Sequence, residues 1–404
     1  VLACRSGRLD SPPLVAVVDR LLASPRLDWT AEPARRLTDA AARSIARRNA
    51  ILARARLESA IAPAIQDGNG VDQFVLMKGS AARPGPLAPR RFLEAIDGPD
   101  QAGWPAHSSG RRELAERVID PGNPLTARVA VNRIWHHLFG RGLVATPDNF
   151  GRLGEPAADP LAQALLDQLA LRFVAEGWSV KRLVRQIVTS STWRMGSAPD
   201  PVAEERDPLN HLFHHAPLRR LEGEAIRDKI LAVSGRLERQ VGGPSVPVHL
   251  EEFHAGRGRP PEGPLDGGGR RSIYTAIRRN FLPGFLLAFD FPVPFQAMGR
   301  RTVTNVPAQS LTLMNDPFVA EQAARWAAAT LAEPGLTAAA RIDRMYRAAF
   351  ARGPEPAEQA AALEFLAAQA TVHQGDFATD PPQPAAWSDL AHALINAKEF
   401  RFVP

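Results

Sequence analysis

The chain has 404 residues, of which 45% are hydrophobic and 23% charged, as in ordinary globular proteins. This length allows two or three domains or one large helical body. The single cysteine, Cys4, excludes an intrachain disulfide and a Cys-x-x-Cys-His haem attachment within this chain. No apolar run approaches the roughly 20 residues that a membrane-spanning helix needs.

The net charge of +6 and the isoelectric point near 10.1 suggest nucleic-acid binding at first sight. That function requires basic side chains gathered on one face, whereas here they are spread along the chain. Only four of the 49 basic residues are lysine, a bias that fits GC-rich coding better than selection for phosphate contacts. We therefore do not expect a nucleic-acid partner.

Composition divides the chain into three parts. Residues 1–66 are rich in Ala and Arg at helical spacing and are predicted to be a helical remnant of an upstream domain. Residues 67–119 are dense in Gly and Pro and predict a linker or arm, with one strand candidate at 74–77. Residues 120–404 predict a helical C-terminal domain. Because the chain begins at Val1 instead of Met and shows no signal peptide, we expect it to be a fragment, and any export signal would lie upstream.

Capping residues mark the predicted helices of the C-terminal domain. Asn123-Pro124 should open a helix that Gly140 closes, and Asp159-Pro160 and Ser179 should open the next two. The helix that starts at Asp159-Pro160 carries an apolar stripe with a four-residue repeat, formed by Leu161, Leu165, Leu169 and Phe173. A fourth helix is predicted at 218–234. Further helices are predicted at 308–314, 317–332, 338–350, 356–370 and 386–399, with starts at Pro317, Thr337 and Pro356.

A small β element is predicted at about residues 245–279. A strand at 246–250 is expected to pair with the β-branched and aromatic segment at 272–277. The fold class is therefore mainly α, a multi-helix body with this one β element and Gly/Pro-rich loops.

The first predicted helix carries a polar stripe. Arg128, Asn132, Arg133 and His136 could line a small site, or they could form a buried hydrogen-bond network that fixes the helix orientation. We favour the polar core. His137 points about 100° away from His136 on a helix, so these two neighbours should not share a metal ion.

A second histidine group offers a metal hypothesis. His211 and His215 would face the same side of a helix, and Glu205 and Asp207 are the carboxylates noted nearby. Two histidines without a clear third ligand rarely hold a transition metal. We therefore predict no metal and keep these two as the candidates.

Two acids lie on the predicted helix at 219–234. Glu224 and Asp228 share a face and could perform general acid–base chemistry. Arg220 and Arg227 lie within helical reach of them, so internal salt bridges are the interpretation that we favour. The sequence contains no P-loop, nucleophile elbow, dinucleotide fingerprint or EF-hand loop, and it alone indicates no enzyme.

The best ligand-site candidate lies before the helix at 308–314. Paired arginines followed by Thr and Asn at a helix start suit sulfate, phosphate or carboxylate. The predicted anion site consists of Arg271, Arg300, Arg301, Thr304, Asn305 and Asn315.

Several runs resemble the domain of unknown function 1553 family, the C-terminal piece of large planctomycete and related bacterial proteins. The matching runs include NPLTARVAVNRIWHHLFGRGLV, TPDNFGRLGEP, FVAEGWSVKRLVRQIVTSSTWR, RRLEGEAIRDKIL and GRRTVTNVPAQSLTLMNDPFV. The resemblance implies an exported or periplasmic protein with an upstream cytochrome c-like domain, which alone would hold haem. It also implies a link to polysaccharides, and it carries no catalytic residues.

Together these observations predict a non-catalytic binding or assembly module of an exported multidomain bacterial protein linked to polysaccharide handling. Its expected partner is an anionic glycan or another protein. The alternative is a hydrolase acting on polysaccharide with the acids of the helix at 219–234.

Overall fold

The structure is a computed structural model. It describes residues 67–404 except 69, 151–152, 158, 252–253, 255, 376–382 and 404, and eight helical positions between 32 and 50. The predicted helical remnant at 1–66 lies outside the described residues apart from those eight positions. The chain divides into two compact units, residues 1–71 with 105–109 and residues 72–104 with 110–404. The predicted boundaries near 66 and 119 stay a prediction.

The mainly α prediction is confirmed: the described residues form fourteen α-helices and two antiparallel sheets of two strands each. The helices are α1 Glu94–Asp97, α2 Arg111–Val118, α3 Thr126–Phe139, α4 Pro160–Ala175, α5 Val180–Val188, α6 Pro201–Arg206, α7 Gly223–Val233, α8 Gly284–Ala288, α9 Pro307–Asn315, α10 Pro317–Leu331, α11 Ala338–Phe350, α12 Pro356–Val372, α13 Pro384–Asn396 and α14 Lys398–Arg401. The strands are β1 Gln73–Leu76, β2 Pro84–Ala88, β3 Arg219–Arg220 and β4 Phe402–Val403. β1 pairs with β2, and β3 pairs with β4.

Helix starts follow the predicted signals at Asp159, Ser179, Pro317, Thr337 and Pro356, whereas the start predicted at Asn123-Pro124 shifts. The Asp159 side chain accepts a hydrogen bond from Leu161 N at the start of α4, and Ser179 caps α5. Helix α3, however, begins at Thr126 rather than at Pro124. Asn123 Oδ1 still accepts from Leu125 N, but it closes a turn before the helix instead of capping it.

The buried face of α4 differs from the predicted stripe. Leu169 and Phe173 are buried as expected, but Leu161 is 75% exposed and Leu165 is also exposed. Leu166 and Ala170 complete the buried face instead. A strict four-residue repeat turns by 400°, so it drifts about 40° around the helix at each step and leaves the core.

The predicted helix at 219–234 is shorter than expected. Helix α7 begins at Gly223, and Arg219–Arg220 form β3, which pairs antiparallel with β4. Leu221 N extends this pairing by donating to Arg401 O over 2.7 Å. A partner so far along the chain leaves no local signal in the sequence, which explains the error.

The β element at 245–279 is reduced to one isolated parallel bridge. Val246 pairs with Thr275, so the two predicted segments do meet. Val246 N donates to Tyr274 O and Ala276 N donates to Val246 O, both over 2.8 Å. Ser272–Tyr274 form a 3-10 turn rather than a strand, which prevents a longer ladder.

Two large hydrophobic cores and one small cluster, formed by Val248, Leu250 and Phe281, lie within the second compact unit. The first joins α3, α4 and α5 around Val131, Leu166 and Ile187. The second joins α7, α8 and α9–α14 around Ile230 and Trp387. No described helix combines the length and the apolar composition that crossing a membrane would require.

Candidate functional site

Glu224, one of the two candidate acids, is held by a bidentate ion pair. Arg301 Nη1 and Nη2 donate to its two carboxylate oxygens over 2.7 and 2.8 Å. Glu222 lies 3.4 Å from the same guanidinium. The hydrogen bonds to Glu224 raise the pKa of Arg301 above its ordinary value, so the guanidinium keeps its positive charge. A carboxylate occupied on both oxygens is poorly placed to exchange protons with a substrate.

Asp228, the second candidate acid, is also occupied. Its Oδ1 accepts from both Ser272 N and Ser272 Oγ over 2.7 Å. Arg271 Nε lies 3.5 Å from Oδ2, and Arg227 Nη1 lies 3.8 Å from Oδ1. Asp228 therefore joins α7 to the 3-10 turn at 272–274.

A buried network surrounds Asp290. Arg220 Nη2 donates to Asp290 over 2.6 Å, and Thr304 donates through both N and Oγ1. Burial raises the pKa of Asp290, but the bonds from Thr304 and Arg220 lower it more, so the net shift is downward. Gln309 Nε2 extends the network by donating to Thr304 O and Oγ1.

The predicted anion site is therefore divided among different neighbours. Arg271 faces Asp228, Arg301 binds Glu224, and Thr304 donates to Asp290. Asn305 is exposed, and the exposed Asn315 donates to Leu311 O of its own helix. Arg300 contacts the loop after α3, where its Nη1 donates to Ala145 O over 3.3 Å. The six residues do not form one cluster of free donors.

Arg300 instead joins a basic group at the end of α3. The charges acting on His136 come from His137, Arg300, Arg133 and Arg219, in that order. We call these five residues the His136 cluster. Burial first, and then these cations, lower the pKa of His136 below its ordinary value, so the imidazole is neutral at pH 7. Among the described residues, none of the three arginines makes an ion pair with a carboxylate.

The end of α3 gives the cluster its shape. Gly140 closes the helix with a φ of +80°, a conformation that suits glycine. A Cβ at this position would lie 2.5 Å from Arg219 Cδ, so glycine also lets Arg219 cross the helix end. Arg219 Nη1 then donates to His137 O over 3.3 Å, which satisfies a carbonyl of the last turn.

Asn132 fixes the loop that follows. This residue is fully buried, and its side chain donates to Val144 O and accepts from Val144 N, both over 2.9 Å. Gly142 is required beside it, because a Cβ there would lie 2.7 Å from Asn132 Nδ2. The loop held in this way supplies Ala145 O to Arg300.

The other residues of the predicted polar core lie nearer the surface. Arg128 is half-buried and pairs with Asp167 over 2.7 Å, Arg133 is exposed, and His136 is half-buried. Only Asn132 occupies the buried position that we predicted for all four. The stripe nevertheless brings Arg133 and His136 to the same cluster.

The histidine segment at 211–215 folds as turns rather than as a helix. The spacing argument for His211 and His215 therefore does not apply. His215 lies instead beside His214, with ring centroids 4.6 Å apart. Glu204 on α6 approaches the same pair, whereas the carboxylates expected near the histidines were Glu205 and Asp207.

Comparisons with known proteins agree with the resemblance seen in the sequence. The family model PSD1, described as a protein of unknown function (DUF1553), matches residues 110–366. Neither the search of curated proteins nor the search of solved structures gives a match. The matched span contains the His136 cluster, both candidate acids and more than half of the chain. The chain therefore belongs to the DUF1553 family of proteins of unknown function.

Proposed function

We propose that this chain is a non-catalytic binding module of an exported bacterial protein that handles polysaccharides. In this proposal the His136 cluster binds the sulfate or carboxylate groups of an anionic glycan. The expectation of export, and of haem in an upstream domain, rests on the family resemblance described above.

The observation that carries the proposal is that the three arginines of the cluster lack ion-pair partners among the described residues. Arg133, Arg219 and Arg300 act on one imidazole, and none of them forms an ion pair with a carboxylate in the described part of the chain. Guanidinium groups are planar forks of donors, and they bind a carboxylate, or two oxygens of a tetrahedral sulfate, through two parallel hydrogen bonds. An anion bound here would satisfy donors that the protein leaves to solvent.

The state of the two candidate acids supports a non-catalytic role. A general acid or base must lie within hydrogen-bond reach of the substrate atom to which it gives, or from which it takes, a proton. Glu224 is held by Arg301, and Asp228 is held by Ser272 and two arginines. A polysaccharide hydrolase remains the rival proposal, and it requires Glu224 or Asp228 to leave these partners.

The test compares a sulfated polysaccharide with its neutral parent. We would measure the binding of dextran sulfate and of dextran to the full chain by calorimetry at low salt. Arg300→Ala and Arg133→Ala are each expected to weaken dextran sulfate binding by about tenfold, which is about 1.4 kcal/mol. Dextran itself should not bind.

Arg325→Ala is the matched control, because it removes one positive charge from an exposed ion pair with Glu321 on α10. This variant should bind dextran sulfate as the unchanged chain does. If Arg325→Ala weakened binding as much as Arg300→Ala, attraction would depend on net charge alone and the proposed site would be wrong.

A further inference from the structure

Three metal-ligating side chains meet beside the first core, outside the His136 cluster. One ligand atom from each of Glu204, His214 and His215 lies within 4.8 Å of the others. His214 Nδ1 and His215 Nδ1 are 3.4 Å apart, and Glu204 Oε2 lies 3.7 Å from His214 Nε2. We propose that these three residues bind a divalent transition-metal ion of the zinc type.

The loop that carries the histidines is fixed by its own hydrogen bonds. The Asp207 carboxylate accepts from His211 N and Leu212 N, over 2.9 and 2.7 Å. Asn210 Nδ2 donates to His215 O over 2.9 Å. The Phe213 ring is buried in the first core, 5.0 Å from the ring of Phe139. The two imidazoles are therefore held in place without a ligand.

A backbone contact selects which nitrogen of His214 is free. His214 Nε2 lies 3.0 Å from Asp207 O, and a carbonyl can only accept, so this nitrogen carries the proton. The lone pair then lies on Nδ1, which faces His215 Nδ1. A metal-binding histidine commonly donates its other ring N–H to a carbonyl in this way.

The distance between the two Nδ1 atoms suits a shared ion. Tetrahedral zinc with Zn–N bonds of about 2.0–2.1 Å separates two nitrogen ligands by about 3.3–3.4 Å. The observed 3.4 Å lies at this value, whereas it is long for a hydrogen bond between the rings. Neighbouring histidines can approach so closely because the segment is a turn. On helix α3, the ring centroids of His136 and His137 are 5.5 Å apart, compared with 4.6 Å for His214 and His215.

Glu204 completes the donor set. Its Oε2 is buried and has no hydrogen-bond partner in the described residues, although a buried carboxylate oxygen normally has one. An ion held by the two Nδ1 atoms would draw in this oxygen, which lies 3.7 Å from the protonated Nε2 of His214 in this structure. Two histidines and one carboxylate are a recognised ligand set for zinc, with a fourth position left for water or a ligand.

The test uses the tag-free full chain after treatment with chelator. Titration with zinc sulfate against a competing dye should give one site, and cobalt should give the visible absorption of tetrahedral cobalt. His214→Gln and His215→Gln should each weaken zinc affinity by at least about tenfold, since each removes one of three protein ligands. Glu204→Gln should weaken it in the same direction.

His211→Gln is the matched control, because it removes a histidine from the same loop but no ligand of the site. Thermal unfolding in chelator should be similar for all four variants, which separates loss of a ligand from loss of the fold. The proposal is overturned if the unchanged chain binds no zinc. It is also overturned if His211→Gln loses affinity as much as His214→Gln, or if the His214→Gln, His215→Gln double variant binds normally.

Discussion

Two arginine-rich regions of this protein differ in whether their guanidinium groups are paired with carboxylates. Around α7 and α8, Arg220 and Arg301 each bind a carboxylate at 2.6–2.8 Å, forming what we call the matched region. In the His136 cluster, three arginines share no carboxylate. Arg220 is nearly inaccessible, with 4% of its side chain exposed, whereas Arg133 and Arg300 reach solvent. Buried charge requires a partner, and only the solvated arginines remain available to a ligand.

The largest expected effect comes from removing a partner inside the matched region. Asp290→Asn leaves the side-chain size unchanged, and Asn, like Asp, tolerates the φ of +63° at this position. Arg220 would then be buried without a countercharge. Its Nε and Nη1 already lack hydrogen-bond partners in the described residues, so no other hydrogen bond there compensates. We expect the free energy of unfolding to fall by about 3–5 kcal/mol in urea denaturation.

The control for this variant is Asp343→Asn, which breaks an exposed pair with Arg347 on α11. Its expected cost is about 0.5 kcal/mol or less. Equal costs for the two variants would mean that Arg220 is solvated after all, and the comparison between the two regions would fail.

A smaller effect is expected from Glu224→Gln, which leaves Arg301 without its bidentate partner. Both side chains are partly exposed, so the free energy of unfolding should fall by only about 1 kcal/mol. Urea denaturation measures this cost, and assays on polysaccharides should show no activity that differs between Glu224→Gln and the unchanged chain. Loss of a hydrolytic activity in the variant would instead favour the rival hydrolase.

The smallest effect concerns pH. Because the pKa of folded His136 lies below its ordinary value of 6.5, the unfolded chain binds more protons in this range. Stability should therefore rise with pH below about 6.5 and level off above it. His136→Gln should flatten this part of the profile in urea denaturation at pH 5 and pH 7.5. Identical profiles would show that neither burial nor the nearby cations lower the pKa of His136.

The pKa of His136 also tests whether dextran sulfate binds at the His136 cluster. An anion in the cluster offsets the cations that disfavour protonation, so it should raise the pKa of His136 in an NMR titration. Arg300→Ala should raise that pKa without any ligand, since it removes one of the cations. A pKa that dextran sulfate leaves unchanged would place the bound anion elsewhere.

Much of the helical body was predictable because its signals are local. Asp159, Ser179 and Thr337 cap helices at the positions that their sequence contexts indicate. The predicted helix at 338–350 agrees with α11 at both ends. Capping depends on residues within one turn of each other, so a single sequence contains the necessary information.

The sites were less predictable because they depend on distant contacts. Arg300 and Arg301 are neighbours in the sequence, yet one reaches Ala145 and the other binds Glu224. Helical spacing predicted that arginines would pair with the candidate acids, but not that Arg301 would be the partner of Glu224. His211 and His215 were grouped by an assumed helix that the turn at Asp207 excludes.

The pairing of β3 with β4 has a consequence for synthesis on the ribosome. Arg219 in β3 can pair with Val403 in β4 only after Val403 has been synthesised, roughly 180 residues later. At about 5–20 residues per second this delay lasts about 10–35 s. Throughout that interval the nascent chain carries an open strand edge, and β4 can close it only when translation of the described residues is almost finished.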